Sequence, residues 1–194
     1  GLIECLEAAR DSDHYQTPLG ENQGRAVAAG FWHNGAGTSS ATIHMNDDGS
    51  AALSTGSVDL SGTRIALAMM AADELGIPVE RIASVVADTD SVGFAGNSAG
   101  SRTINATGQA VVEATRIAIS EMKLRAASGW NVTAEQVDWR DGAAINMATG
   151  DKLDVAAICR DAQGTGGPIH GSHSLQATPG LGPSFSVHIC DVEV

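Results

Sequence analysis

"SGTRIALAMMAADELGIPVERIASVVADTDSVGFAGNSAGSRTINATGQAVVEA", residues 61–114, decides the fold class. It opens on a turn of small residues, Ser61-Gly62-Thr63. A helical pattern follows, with Ile65, Ala68, Met69 and Ala72 at i, i+3, i+4 and i+7. Gly76 stands where a C-cap belongs, and Pro78 bars continuation. "RIASVVAD" reads as a buried strand. A loop with almost no bulk comes next, and then a long helix from about Arg102 to Ala127. Its apolar face takes Ala110, Val111, Ala114, Ile117, Ala118 and Met122, and Gly129 is placed to end it.

Upstream, residues 2–10 carry Leu2, Ile3, Leu6 and Ala9 on one helical face, and 11–24 reads as a loop. Residues 25–34 are a short apolar strand. Residues 40–60 form a hairpin with Ala41, Ile43 and Met45 on one side and Asp48-Gly49 at the turn. Downstream come a capped turn at Thr133, a hairpin turning at Asp141-Gly142 and a helix over 152–163. A glycine-rich bend then leads into a strand, and 183–194 is the last strand. There Phe185, Val187 and Ile189 share one parity while Val192 and Val194 share the other. A bulge near Cys190 accounts for the switch, and so does burial on both faces. Together these elements give α+β: a mixed, mainly antiparallel sheet with helices packed on it. Two lobes, 1–129 and 130–194, are compatible with the pattern. The first residues look like mid-protein helix and the last like mid-strand, so the expectation is a segment of a longer chain continuing beyond both ends.

Hydrophobic residues make up 43 % of the chain and charged ones 18 %, which suits an ordered core. The net charge of -12 repels nucleic acid and anionic lipid, so no nucleic-acid or membrane partner is expected. Cys5, Cys159 and Cys190 are odd in number and never at CxxC spacing, which fits reduced thiols in a cytoplasmic protein. No signal segment opens the chain, and no apolar run reaches about 18 residues.

The bulk-free loop raises the chemical question. The first turn of a helix presents unpaired N–H groups and a partial positive end. A glycine-rich approach lets an anion come close to them. In "GNSAGSR", Gly96 and Gly100 remove side chains, Ser98 and Ser101 add hydroxyls and Arg102 adds a cation. An ordinary connection with Ser101 as N-cap explains the same residues. "GSVDLSGTRIA" is a second small-residue mouth, and two such mouths can converge on one extended ligand. Asp88-Thr89-Asp90 lacks the further oxygens of a hard-cation loop and reads as a turn. The histidines, His170 and His173 included, have no cysteine or carboxylate at ligand spacing, so no protein-held metal is expected. No nucleophile elbow is present, and no catalytic residue is assigned.

"DDGSAALSTGSVDLSGT", "AADELGIPVERIASVVADTD" and "AGSRTINATGQAVVEA" stand in that order. This order resembles the molybdenum-cofactor-binding part of the large subunit of molybdenum hydroxylases, the xanthine dehydrogenase and aldehyde oxidase family. The likeness is clearest from about Gly24 to Ala114, and "PSFSVHICDVEV" resembles a strand leading into the family's next segment.

The resemblance implies a molybdenum–pyranopterin cofactor, often extended as molybdopterin cytosine dinucleotide. It implies hydroxylation of an aromatic heterocycle or an aldehyde with water as oxygen source. It also implies partners: the remaining large-subunit segments, and iron–sulfur and flavin domains or subunits that take the electrons. Carried over residue by residue, Ala99, Gly100 and Ser101 match the family's small segment at the molybdenum centre. The family's Gly-Gln-Gly turn falls on Leu60-Ser61-Gly62, so the glutamine is absent. Ser61 and Thr63 substitute for it, or the subfamily binds differently, or binding is lost. The family's catalytic glutamate lies in a glycine-rich motif downstream of the last strand here, and Glu193 is not that residue. The expectation is therefore part of a cofactor pocket, inactive and without cofactor when isolated. A non-catalytic binding or assembly module that keeps the fold is the alternative, and an unrelated α+β enzyme is a third reading.

Overall fold

The computed structural model describes residues 1–85, 88–179 and 182–194. Val86 and Ala87, the end of the expected strand "RIASVVAD", lie outside the described residues. The chain forms two compact units, residues 1–34 with 179–194, and residues 35–178. This division falls at other places than the expected lobes 1–129 and 130–194.

In the first unit, β1 (Gln23–Trp32) and β9 (Ser184–Glu193) form an antiparallel two-stranded ribbon. The register runs unbroken from Gln23↔Glu193 to Trp32↔Ser184. No bulge interrupts it at Cys190. Nor is β9 buried on both faces: Phe185, Val187 and Ile189 are half-buried and the residues around them exposed. Helices α1 (Leu2–Arg10) and α2 (Asp13–Gln16) belong to this unit, and neither has a buried residue. The α2 turn was expected as loop. Ser12 starts it by accepting from the Tyr15 N–H. Arg25 grips Asp191 through Nε and Nη2, both at 2.7 Å, and donates to the Thr17 carbonyl at 2.9 Å.

The second unit is built on a four-stranded sheet in the order β4-β3-β2-β8. These are β2 (Gly37–Met45), β3 (Ala51–Thr55), β4 (Ile82–Val85) and β8 (His170–Ala177). The β2–β3 hairpin turns at Gly49, in the left-handed region at φ 80°, as its Asp-Gly pair predicts. β4 lies parallel to β3 and reaches it through α3 (Thr63–Leu75). β2 and β8 are antiparallel. The architecture is α+β with mainly antiparallel pairing and helices packed on one face.

The inward face of the sheet presents Ala41, Ile43, Met45, Ala51 and Leu53 to α3 and α4 (Arg102–Trp130). α3 buries Leu67, Ala68, Ala71, Ala72 and Leu75. Ile65 and Met69, expected inside, are 55 % and 57 % exposed. In this alanine-rich helix the small residues and Leu67 set the buried stripe, rotated from the phase that Ile65 suggests. α4 buries Ala110, Val111, Ala114, Ala118 and Met122 as expected and Ala106 in addition, while Ile117 turns outward. Gly129 does not end α4. The helix continues to Trp130 and stops at Asn131, at φ 55°, because asparagine tolerates the left-handed C-terminal position that glycine often takes.

Small residues let β8 lie directly on α4. A Cβ at Gly171 would strike the Ala114 carbonyl oxygen and lie 2.9 Å from the Ala118 nitrogen. The rest of the unit is the sheet β5 (Val137–Arg140), β6 (Ala143–Asn146) and β7 (Lys152–Asp154), with α5 (Val155–Arg160) and α6 (Ala162–Thr165) after it. Lys152–Asp154, expected as the start of a helix, is strand. Asp154 then caps α5, its carboxylate accepting from the Ala157 N–H at 2.7 Å.

Candidate functional site

Both helix mouths singled out in the sequence have the same backbone form. Ser61 (φ 59°) and Gly62 (φ 80°) precede α3, and Gly100 (φ 58°) and Ser101 (φ 56°) precede α4. Two successive left-handed residues turn the chain sharply into each helix. Only glycine takes this conformation without a Cβ penalty, so each mouth carries one serine under backbone strain. Such strain, found at both mouths, is of the kind that gathers at ligand sites.

At α4 the mouth is open. A Cβ at Gly100 would meet nothing within 4 Å. Ser101 is the N-cap residue, yet its side chain makes no capping hydrogen bond to the first turn, and no acidic residue lies in that turn. A capping serine normally adopts extended backbone angles, which φ 56° is not. The ordinary-connection reading, with Ser101 as a conventional cap, therefore does not describe this turn. Ala99, Gly100 and Ser101 are all exposed. From behind, the loop is anchored: the Gly35 N–H donates to the Gly100 carbonyl at 2.8 Å, and Asn105 Nδ2 donates to the Gly35 carbonyl at 2.9 Å.

At α3 the mouth is partly occupied by the protein itself. The Arg64 N–H donates to Asp59 Oδ1 at 3.3 Å, and the Arg64 Nε lies 3.9 Å from Asp59 Oδ2. Ser61 and Gly62 are exposed. Thr63 is buried, and its hydroxyl donates to the Leu60 carbonyl at 2.7 Å, which holds the turn closed.

Arg102 does not face the mouth as a cation for an anion. The residue is 6 % exposed, and its guanidinium donates Nε to Ala36 O at 2.8 Å, Nη1 to Asn97 O at 3.0 Å and Nη2 to Thr38 O at 3.0 Å. Nη2 also reaches Ser39 Oγ at 3.3 Å. Glycines make the room: a Cβ at Gly96 would lie 2.9 Å from Nη1, and one at Gly35 2.8 Å from the Arg102 Cβ. Gly35, just before β2, and Gly37, its first residue, stand in "NGAGT" and were the sequence signal for this clamp, which the sequence reading passed over.

The structure brings the flanks of the two mouths together. The Ser57 hydroxyl lies 2.8 Å from Thr107 Oγ1. A Cβ at Gly56 would lie 2.5 Å from the Gly93 carbonyl oxygen, so this approach needs glycine. Ser40 Oγ donates to the Phe94 carbonyl at 2.9 Å, and Ser39 forms an isolated bridge with Ala95. Loop 88–101 is thus pinned to β2 and to the start of the β3–α3 connection.

The other candidates fall elsewhere. Asp88 Oδ1 accepts from the Asp90 N–H at 3.0 Å, the bond of a local turn. His170 and His173 lie in β8, not in a glycine bend, and the His170 ring stacks on His44 at 5.6 Å. Among the described residues, no group of three His, Cys, Asp or Glu side chains is placed to hold a metal ion. No described helix is long and apolar enough to cross a membrane.

An open, uncapped helix mouth with glycine at the approach fits a long anion held by backbone N–H groups. It does not fit a metal held by side chains. Comparison with known proteins bears on the family. The molybdopterin cofactor-binding domain profile matches residues 5–194. The aldehyde oxidoreductase molybdenum-binding subunit PaoC of Escherichia coli (strain K12) is 32 % identical over 157 residues, covering 75 % of this chain and 20 % of that protein. The chain thus spans about a fifth of this curated relative. CO dehydrogenase from Oligotropha carboxidovorans superimposes with a TM-score of 0.78 at 18 % identity, over 99 % of this chain and 26 % of the other. Quinoline 2-oxidoreductase from Pseudomonas putida 86 gives 0.72 at 16 % over the same shares. At such identities these two structures show the fold alone. The profile match over nearly the whole length shows the family: the chain belongs to the molybdopterin cofactor-binding domains.

Proposed function

We propose that this chain supplies part of the cofactor pocket of a molybdenum hydroxylase, an oxidoreductase that hydroxylates an aldehyde or an aromatic heterocycle. The observation that carries this reading is the mouth of α4, uncapped and open at Gly100 in a chain of this family. Ala99 and Gly100 leave room for the ligand, and Ser101 offers a hydroxyl. The Arg102 N–H donates to the Ala99 carbonyl at 3.2 Å, and the first-turn N–H groups of α4 beyond it would face the negative charge of the ligand. At α3, Ser61 and Gly62 form the second wall while Thr63 fixes their turn. When bound, the molybdenum cofactor supplies the two-electron redox chemistry by which oxygen from water enters the substrate. The cytosine dinucleotide form suits two mouths better than a short pterin, because an extended ligand can reach both.

The parent protein continues beyond both ends of this chain and carries the catalytic glutamate outside residues 1–194. Its iron–sulfur and flavin domains or subunits take the electrons, and it works in the cytoplasm. The isolated chain is inactive and binds little molybdenum, because part of a cleft loses many contacts to a long ligand.

A second reading has its own support. Asp59 sits at the α3 mouth, and the Leu60-Ser61-Gly62 turn lacks the glutamine that the resemblance leads one to expect. Both favour a module that keeps the fold without the cofactor. Molybdenum content of the full-length protein separates the two. We expect Gly100→Val to abolish loading, Ser101→Ala to reduce it and Thr149→Ala, in an exposed turn, to leave it unchanged. Normal loading in Gly100→Val refutes the pocket, and a wild-type protein without molybdenum establishes the module.

A further inference from the structure

A buried chain of polar groups runs beneath the two mouths. Arg102 Nη2 donates to Ser39 Oγ at 3.3 Å. Ser39 Oγ lies 3.0 Å from Thr107 Oγ1, which lies 2.8 Å from Ser57 Oγ. Ser39 and Thr107 are fully buried, and Arg102 nearly so. Four segments meet here: the first and second turns of α4, strand β2 and the connection from β3 to α3.

A guanidinium can only donate, so Ser39 accepts from Arg102. In the Ser39–Thr107 and Thr107–Ser57 contacts either hydroxyl can be the donor. Every buried hydroxyl is thereby satisfied, and no described buried side-chain N or O lacks a partner. Removing Thr107 takes one hydrogen-bond partner from the buried Ser39 and one from the half-buried Ser57, which is costly where the lost bond is not replaced by water. Apolar packing alone would hold these elements together with less geometric precision. The loops on either side are the ones proposed to touch the cofactor: Ser57 precedes Ser61-Gly62 by four residues, and Arg102 follows Ser101 directly.

We infer that Arg102, Ser39, Thr107 and Ser57 form a positioning relay that holds the α3 and α4 mouths at the spacing one extended anionic ligand requires. The inference rests on the pocket reading above. The four residues touch no reacting atom; they act through the backbone of the mouths.

The test uses the full-length holoprotein and two readouts, the thermal midpoint and the rate at which molybdenum is lost on dialysis. Thr107→Val replaces the hydroxyl by a methyl of similar volume, and Thr107→Ser keeps the hydroxyl. Ile158→Val, in α5, serves as a core control, compared at equal distance below each midpoint. The relay predicts that Thr107→Val loses molybdenum about tenfold faster than this control, with Thr107→Ser restoring retention. Loss from Thr107→Val at the control's rate overturns the relay. If Thr107→Val does not accumulate folded, Ser57→Ala carries the same prediction, because Ser57 is only half-buried. Gly100→Val separates the two levels. If it loses molybdenum while Thr107→Val behaves as the control, the relay alone fails; if it retains molybdenum, the pocket fails and takes the relay with it.

Discussion

Gly171→Ala tests the packing that fixes α4 and so the position of its mouth. The added methyl meets backbone only: the Ala114 carbonyl oxygen in direct collision, the Ala118 nitrogen at 2.9 Å and the Ala114 carbonyl carbon at 3.0 Å. No flexible side chain can give way. Either β8 lifts from α4 or the Ala118-to-Ala114 helical bond opens. Overpacking of this kind costs about 1–3 kcal/mol, and a backbone bond lost in a dry contact adds about 1 kcal/mol. The expected total is about 3 kcal/mol, or about 6–12 °C in midpoint for a protein of this size. Gly129→Ala should move stability the other way. Gly129 lies inside α4 on its exposed side, with nothing within 4 Å of a Cβ, so alanine gains about 0.5–1 kcal/mol from backbone entropy. Urea unfolding of the purified chain, followed by far-UV circular dichroism, reads both. A Gly171→Ala variant within 1 kcal/mol of wild type would refute the direct seating of β8 on α4.

Two further outcomes follow from ionisable groups. The Arg25 guanidinium bonded to Asp191 holds that carboxyl below its ordinary value of 3.8. A depressed carboxylate stabilises the fold above its unfolded pKa and loses that effect as the pH falls through its folded value. The β1–β9 ribbon should therefore loosen as the pH drops below 3.8, and Asp191→Asn should remove this acid dependence, read by amide exchange along the ribbon; an unchanged profile would count against the pair. Burial pushes the Cys159 thiol up to about 11, whereas Cys190 is exposed. Timed alkylation with mass spectrometry at pH about 8 should label Cys190 first and Cys159 only after unfolding, since the thiolate is the nucleophile; equal native rates would contradict the buried site.

Helix α3 was legible because its stop signals are local: Gly76 caps it, and Pro78 forbids more. The hairpin turns at Gly49 and Gly142 were legible for the same reason, as both need positive φ. Both helix mouths were found from their small residues, and the fold class and family from the order of elements. What the sequence concealed depends on distant neighbours. No periodicity tells that β4 runs parallel to β3, or that Ile65 faces out where Leu67 faces in. The role of Arg102 was misread because a cation at a helix mouth suggests an anion. Its real partners are carbonyl groups of residues 36, 38 and 97, the first two more than 60 positions away.

The ribbon of the first unit joins two strands with about 150 residues between them, and closing so long a loop costs about 4 kcal/mol in chain entropy. The second unit removes about half of that cost. Its own ends meet in the sheet, with Gly37 at the start of β2 paired to Ala177 at the end of β8. Once this pairing exists, the strands flanking it are separated by an effective loop of about ten residues. Topology thereby favours an order in which the second unit forms first and the ribbon zips afterwards. During synthesis β1 must wait, unpaired and carrying exposed Val27, Phe31 and Trp32, until β9 has left the ribosome. That interval is when this chain is most open to misassociation, so chaperone dependence should be governed by the pairing of β1 with β9.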